Sequence, residues 1–477
     1  MLASCGAAAG ALVVEERRAR LIAMAIALLV APVLVLGNVW DEPRVVDFRD
    51  SPGQIAALVL VGAAGLALLV AVFHRYPEAL PIAAFAALPL RVPVEIGGET
   101  ANLLVPLYLV IAAGVISAAR SGRPPASAEQ PEPWSLWLRR LLAATVVLYA
   151  IQAAYSEDVA NAIENIGFFL VPFAILLVLL VEVEWTSALL RKVLVAVGAV
   201  AAVCAAVALY QWVAGDLFLN PELFDANQLH AYFRVNSVFF DPNILGRYLA
   251  LAITALAAYI AWSDDRRGLA LAMATAVIAL IGLALSFSIT SFAALLAGLG
   301  MIALLRWRMR GALAAVGLAL AGLVALLIVG GTPNSDIQSD RSIDSGRSDL
   351  VSGGLELAEE RPFAGYGSGS FGAAFYERIE RARTTVSHSE PITVAAEQGA
   401  VGLVVYAGVV VCALVTLLGG GVGRSIARTA VAACFVAMLV HSLGYAGFAI
   451  DPATWALLGV GIALRRGPPE PSATIPQ

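Results

Sequence analysis

An all-α polytopic membrane protein of about 12–14 transmembrane helices, with a large external loop containing short helices, is the fold class this sequence predicts. Three observations carry the expectation. Of 477 residues, 60% are hydrophobic and only 14% are charged, a balance that suits lipid as the main solvent. Apolar runs of about 17–25 residues recur along the whole length, and in hydrocarbon only helices or closed barrels satisfy their own backbone groups. The runs are too long and too uniformly apolar for barrel strands, which alternate. The third observation is one polar stretch, 331–392, set between such runs.

The spans are expected to begin near Leu21, Ile55, Ala79, Ala101, Leu138, Ile166 and Val193, then near Asn243, Leu269, Ser291, Ala312, Val394, Thr429 and Ala453. Orientation follows from the basic residues, which concentrate in every second loop. Arg17, Arg18 and Arg20 precede the first span; later clusters are Arg191 with Lys192, Arg266 with Arg267, Arg306 with Arg308 and Arg310, Arg424 with Arg428, and Arg465 with Arg466. Threaded in order, they fall on one side, the cytoplasmic one. Both termini are then cytoplasmic and 331–392 is external. The Arg cluster before the first apolar run resembles a signal peptide, but no small-residue cleavage site follows, and the run reads as a retained helix.

The chain divides accordingly. N-terminal transmembrane helices occupy 1–120, and a cytoplasmic linker rich in Pro, Ser and Glu occupies 121–137. A central transmembrane bundle spans 138–330 and contains an external segment at 215–242. The large external (periplasmic-side) loop is 331–392, C-terminal transmembrane helices fill 393–466, and 467–477 reads as a disordered tail. A net charge of −5, with no basic tract, gives no footprint for nucleic acid. Cys5, Cys204, Cys412 and Cys434 show neither a disulfide framework nor zinc spacing.

Two external segments are long enough to build a site. The first, 215–242, mixes polar residues with Phe218, Phe224, Tyr232, Phe233, Phe239 and Phe240, a composition suited to headgroup depth. In the large loop, 349–360 can form a short helix on Leu350, Leu355 and Leu357, which Arg361-Pro362 would end. Gly365, Gly367 and Gly369 suit a tight turn or a close backbone approach to a ligand, and 372–383 reads as a second helix with Phe375 and Ile379 on one face.

Each candidate has a plainer alternative. The three glycines follow no strand and lack dinucleotide spacing, so a structural turn competes with a ligand site. Arg378, Arg381 and Arg383 have Glu377 and Glu380 as helical neighbours, which favours pairing within the helix. A loop histidine such as His388 is commonly just solvated, and His441, inside an apolar span, reads as a neutral, satisfied imidazole. Arg247, about one turn into a span, and Arg234, just before it, are harder to dismiss. An arginine at bilayer depth calls for a partner, either a protein carboxylate or a bound phosphate. Glu397, at the start of another span, raises the same question.

Four pieces, in order, resemble the O-antigen ligase and O-antigen polymerase-like membrane glycosyltransferases, the lipopolysaccharide-ligase-like family: RVNSVFFDPN (234–243), SFSITSF (286–292), GRSDLVSGGLELAEERPFAGYGSGSF (346–371) and VSHSEPITVAAEQGAVGL (386–403). The resemblance implies metal-independent, inverting transfer of a glycan from an undecaprenyl-pyrophosphate carrier to an acceptor hydroxyl, at the outer face of a bacterial cytoplasmic (inner) membrane and without a cofactor. The implied partners are the lipid-linked glycan donor, a glycan or lipid acceptor, and membrane lipids. By the same matching, His388 is the candidate general base or acceptor-orienting residue. Arg234 and Arg347 are candidates for the donor pyrophosphate, and Glu397 for holding Arg or His in place. Two positions depart from the family pattern. Ile289, Thr290 and Ser291 stand where a Ser-Arg motif is common, and Ser389 follows the histidine where Asn is frequent. Arg247 or Arg341 would substitute for the missing arginine. The alternatives to glycan transfer are a polytopic transporter or lipid-linked glycan flippase, which often shows internal repeats, and a non-enzymatic membrane scaffold or sensor. No clear repeat is visible, and the polar residues gather in the external loop rather than in the spans.

Overall fold

The computed structural model describes residues 1–96, 99–121, 132–217, 233–307, 347–379 and 387–466. Among them, nine helices are long and apolar enough to cross a membrane, and shorter apolar helices accompany them. The N-terminal elements are α1 (Leu2–Val13), α2 (Arg17–Asn38), α3 (Pro43–Arg49), α4 (Pro52–Arg75), α5 (Ala79–Ala87), α6 (Val105–Ser121) and α7 (Pro133–Ala153). A hairpin of β1 (Val92–Ile96) and β2 (Glu99–Leu103) separates α5 from α6. Next come α8 (Val159–Glu164), continued through a π-helical turn (Asn165–Leu170) into α9 (Val171–Val181), and α10 (Ser187–Ala214). The remaining spans are α11 (Pro242–Trp262), α12 (Arg266–Leu285) and α13 (Ile289–Trp307). Two loop helices, α14 (Arg347–Glu360) and α15 (Phe371–Ile379), precede α16 (Glu390–Leu418), α17 (Ile426–Ser442) and α18 (Pro452–Arg466).

Helix starts obey local chemistry. Thr186 caps α10 by accepting from Leu189 N at 3.2 Å, and Gly215 closes that helix at a φ of 67°. Asp241 caps α11 ahead of Pro242, its Oδ1 accepting from Asn243 N at 2.6 Å. Two apolar cores result. One joins α1, α2, α7, α9, α16, α17 and α18; the other joins α10, α11 and α12 to Val235 and Phe239. α11 bridges them by packing on α17. α4 is the opposite case: Leu58, Val59, Leu60 and Val61 are all more than 60% exposed, as lipid-facing residues would be.

Nine of the expected spans coincide with helices long enough to cross, and those near Ala101, Thr429 and Ala453 fall on shorter apolar helices. The one near Ala79 falls on the nine-residue α5, too short to span, and the eleventh, near Ala312, lies outside the described residues. Three further features differ from expectation. Ahead of the first span, α1 is a separate helix on α2, α7 and α9, with Cys5, Ala8, Ala11 and Leu12 fully buried. Its small residues allow the close approach that apolarity alone does not signal. The all-helical pattern is interrupted by the β1–β2 hairpin, antiparallel with Val92 opposite Leu103. And α7 opens at Pro133, inside the stretch read as linker, because Pro suits a helix's first turn.

The large loop has its own small core of Leu357, Tyr366, Phe371, Ala374 and Phe375 against Ala396 of α16. α14 stops at Glu360, before Arg361-Pro362, as expected, while Leu355 is 49% exposed rather than packed. The glycine turn docks on the chain's own backbone. Gly399, at φ 63°, breaks the ladder of α16, so Ala400 N turns to Pro362 O at 2.7 Å while Ala396 O accepts from Tyr366 N at 3.0 Å. A Cβ on Gly365 would sit 2.3 Å from the carbonyl carbon of Glu397, at a φ of 65°. Gly365→Ala is therefore expected to destabilise this docking by about 1–3 kcal/mol or more, read as faster proteolysis within 347–379 in sealed vesicles.

Candidate functional site

His388 is held in the left-handed backbone region, at φ 61°, a conformation that costs a non-glycine residue about 1–3 kcal/mol. The surrounding turn over-determines it. Ser387 Oγ donates to Ser389 O at 2.8 Å, Ser389 N donates back to Ser387 Oγ at 3.2 Å, and Ser387 N donates to Thr393 Oγ1 at 3.2 Å. Glu390, the next residue, receives the amides of Gly447 (2.6 Å) and Phe448 (3.0 Å). That carboxylate ties the histidine turn to the loop between α17 and α18.

The α17–α18 loop carries Tyr445, whose ring centroid lies 5.8 Å from that of His388 and 5.7 Å from that of His441 on α17. The Tyr445 hydroxyl donates to Asp241 Oδ2 at 2.8 Å, while the other oxygen of Asp241 caps α11. Desolvation first, and then the Asp241 carboxylate, hold the Tyr445 phenol well above its ordinary pKa, so it is a neutral donor across physiological pH.

Below this cluster, the Arg247 guanidinium is 5.8 Å from the Tyr445 ring centroid and forms a buried ion pair with Asp451 at the start of α18. The partner demanded by an arginine at that depth is thus a protein carboxylate. Arg247 still keeps one buried nitrogen, Nη1, with no hydrogen-bond partner. Arg91, between α5 and β1, adds a second cation. Burial lowers its pKa, Asp451 opposes that shift, and Arg247 adds to it; its guanidinium lies 5.8 Å from the Phe239 ring.

A hydrogen-bonded chain fills the place of the missing Ser-Arg arginine. His441 Nε2 contacts Ser291 Oγ at 3.2 Å, Ser291 Oγ contacts Ser288 Oγ at 2.8 Å, and Ser288 Oγ donates to Asn243 Oδ1 at 2.8 Å. Arg234 joins the far end, donating from Nη2 to Asn243 Oδ1 at 3.3 Å and from Nε to Ser286 O at 3.1 Å. His441 is engaged through Nε2, and through it connects the two halves of the cluster.

Three of the expected residues, His388, Arg234 and Arg247, thus come together around Tyr445 and Asn243. Glu397 does not join them. Its two carboxylate oxygens accept from Gly369 N (2.8 Å) and Phe371 N (3.1 Å), so it staples the glycine turn and the start of α15 instead of holding an Arg or His. Arg347 opens α14, with its side chain outside the described residues, and Arg341 also lies outside them. Arg378 pairs within its helix with Glu377 at 3.6 Å, as expected, and also reaches across to Glu157 with two 3.0 Å hydrogen bonds. Among the described residues no group of three His, Cys, Asp or Glu could hold a metal ion. An apolar cavity of about 350 Å³ lies between α10, α11, α17 and α18, lined by Arg191 and Asp265 at the end opposite His388, and takes no part in this cluster.

Residues 274–407, from within α12 to within α16, match the family model described as O-Antigen ligase (Wzy_C). This segment, under a third of the chain, is similar to the O-antigen ligases. A search of curated proteins finds no match. The matched segment contains Ser288, Ser291, His388 and Glu390, whereas Arg91, Arg234, Asp241, Arg247, His441, Tyr445 and Asp451 flank it. Sequence reasoning passed over Tyr445, Asp451 and Arg91. Asp451 had a usable signal: a lone carboxylate between two apolar spans is the complement that a lone intramembrane arginine requires.

Proposed function

We propose that this ligase-like protein transfers an oligosaccharide or polysaccharide from an undecaprenyl-pyrophosphate carrier to an acceptor hydroxyl at the outer face of the bacterial cytoplasmic membrane. Glycan transfer of the ligase or polymerase type is supported by the O-antigen ligase match over residues 274–407. The carrier, the face and the roles below are the reading best supported by one observation: a histidine in a strained, over-determined turn beside buried cations. His388 takes the proton of the attacking hydroxyl, as a neutral imidazole near pH 7 does well. The leaving group is lipid pyrophosphate, which needs cations rather than a covalent intermediate, so the transfer is a single, inverting displacement without a metal.

Arg234 is the first residue assigned to the pyrophosphate, with Arg347 and Arg341 reaching it from the large loop. Arg247 contributes its field and its one uncommitted nitrogen, the rest of its charge being matched by Asp451. On this reading Arg234→Ala weakens binding of an undecaprenyl-pyrophosphate-linked oligosaccharide by roughly 10- to 150-fold, the equivalent of ~1.5–3 kcal/mol for hydrogen bonds to a charged group. Unchanged affinity in detergent or nanodiscs would remove Arg234 from the site. The outer-face assignment rests on the basic residues at the opposite helix ends, where Lys192 pairs with Glu78 at 2.7 Å and Arg465 with Glu132 at 2.9 Å. It is tested by labelling Glu359→Cys, an exposed position of α14, with a membrane-impermeant maleimide. All four native cysteines are buried, so background is low. Labelling of intact cells supports the assignment; labelling of inverted vesicles alone overturns it.

A further inference from the structure

We infer that Tyr445 is the positioning residue for His388: its hydroxyl, anchored on Asp241, and its ring, set against the imidazole, fix the orientation in which His388 meets the acceptor. The inference rests on the catalytic role proposed above for His388. It carries that reading beyond the matched segment, since Tyr445 and Asp241 both lie outside residues 274–407.

The geometry places the ring of Tyr445 against the imidazole of His388. His388 projects from a turn pinned through its backbone, by Ser387, Thr393 and Glu390, and those bonds fix the Cα rather than the ring. The ring of Tyr445 is 5.8 Å from the imidazole at an interplanar angle of 56°, a tilted aromatic contact that restricts rotation about the terminal bond. A tyrosine on a loop could not by itself transmit order. This one is held at both ends. Its hydroxyl donates to Asp241 Oδ2 at 2.8 Å, and Asp241 is fixed as the cap of α11; its backbone follows Gly444, whose amide, like that of Tyr445, bonds to His441 O. Three further groups face it: the His441 ring from α17 at 5.7 Å, the Arg247 guanidinium from α11 at 5.8 Å, and the charge of Arg91 from the loop before β1.

The residue thus couples the histidine turn to the helix that carries Arg247 and adjoins Arg234. Acid–base groups are sensitive to such support, because a misplacement of about 1 Å in a reacting group lowers rate by about a hundredfold.

The experiment uses the full-length protein in nanodiscs, with an undecaprenyl-pyrophosphate-linked oligosaccharide as donor, and follows release of undecaprenyl pyrophosphate. Acceptors are a second molecule of that oligosaccharide lipid and a lipid-anchored core oligosaccharide. Tyr445→Phe keeps the ring and removes the anchor. It is expected to lower kcat by about 10- to 100-fold with donor KM changed less than about twofold, in protein that remains folded at the assay temperature although its thermal midpoint falls with the lost hydrogen bond. In a His388→Ala background the same substitution is expected to cause no further loss, because the residue it positions is gone. Wild-type kcat in Tyr445→Phe overturns the inference, as does an equal loss in both backgrounds or a loss that merely tracks the folded fraction. Wild-type turnover by His388→Ala alone removes the underlying catalytic reading as well, which separates the two failures.

Discussion

Replacing His388 with alanine is expected to lower turnover by about 10²- to 10⁴-fold, the range that a positioned general base contributes. Folding should survive. The residue is only partly buried, and the turn is fixed through Ser387, Thr393 and Glu390 rather than through the imidazole. Alanine would still occupy a φ of 61°, so a small loss of stability accompanies the change. His388→Gly separates the two effects, since glycine relieves the backbone strain while removing the base. Both variants should show the same loss of kcat, with glycine the more stable. A His388→Ala protein that releases lipid pyrophosphate at the wild-type rate would remove His388 from the chemistry.

The second large effect concerns stability. Arg247 and Asp451 are 6% and 8% exposed at their side chains, and removal of one partner leaves a buried charge uncompensated. Asp451→Ala is therefore expected to cost about 3–5 kcal/mol. The double variant Arg247→Met with Asp451→Ala should recover part of that loss, because the stranded cation is gone. It should not recover all of it, since Asp451 Oδ1 also accepts from Ala453 N at 2.7 Å and caps α18, a contribution of about 0.5–2 kcal/mol. Thermal unfolding in a single detergent reads both numbers. A single variant as stable as the double would mean that lipid or water reaches the pair and that its burial is less complete than the geometry describes.

The spans were legible because lipid imposes length and apolarity together, and a sequence displays both. What it did not display were elements whose reason is a neighbour. α1 is short and alanine-rich, and only the grooves of α2, α7 and α9 give it a place. The β1–β2 hairpin has too few residues for periodicity to announce it. The site shows the same division. Arg234 and Arg247 stood out as costly residues for their surroundings, His388 stood out only through the family resemblance, and the three converge. Tyr445 and Asp451 did not stand out, since an aromatic and a helix cap are ordinary between two spans. Their meaning comes from Asp241 and Arg247, roughly two hundred residues away in the chain. Glu397 was singled out correctly as a buried acid and assigned the wrong partners, because the amides of Gly369 and Phe371 become available only when Gly399 breaks α16 and lets the glycine turn dock.

The absent Ser-Arg arginine has a physical counterpart. Ser288 and Ser291, with Asn243 and His441, make a hydroxyl chain that runs to Arg234, so the position that could have carried a cation carries a support for one. Gly246 and Gly444 make room for that chain: a Cβ on Gly246 would lie 2.5 Å from Ser291 Oγ, and one on Gly444 2.5 Å from Thr290 Cγ2.

The central claim is that this cluster moves a glycan from lipid pyrophosphate to a hydroxyl. The most direct measurement is a single-turnover reaction in nanodiscs, with undecaprenyl-pyrophosphate-linked oligosaccharide, acceptor and chelator present. The account predicts one equivalent of free undecaprenyl pyrophosphate for each glycosidic bond formed, with inverted configuration at the transferred sugar. Intact donor after prolonged incubation, or donor merely moved across a bilayer in proteoliposomes, would contradict it.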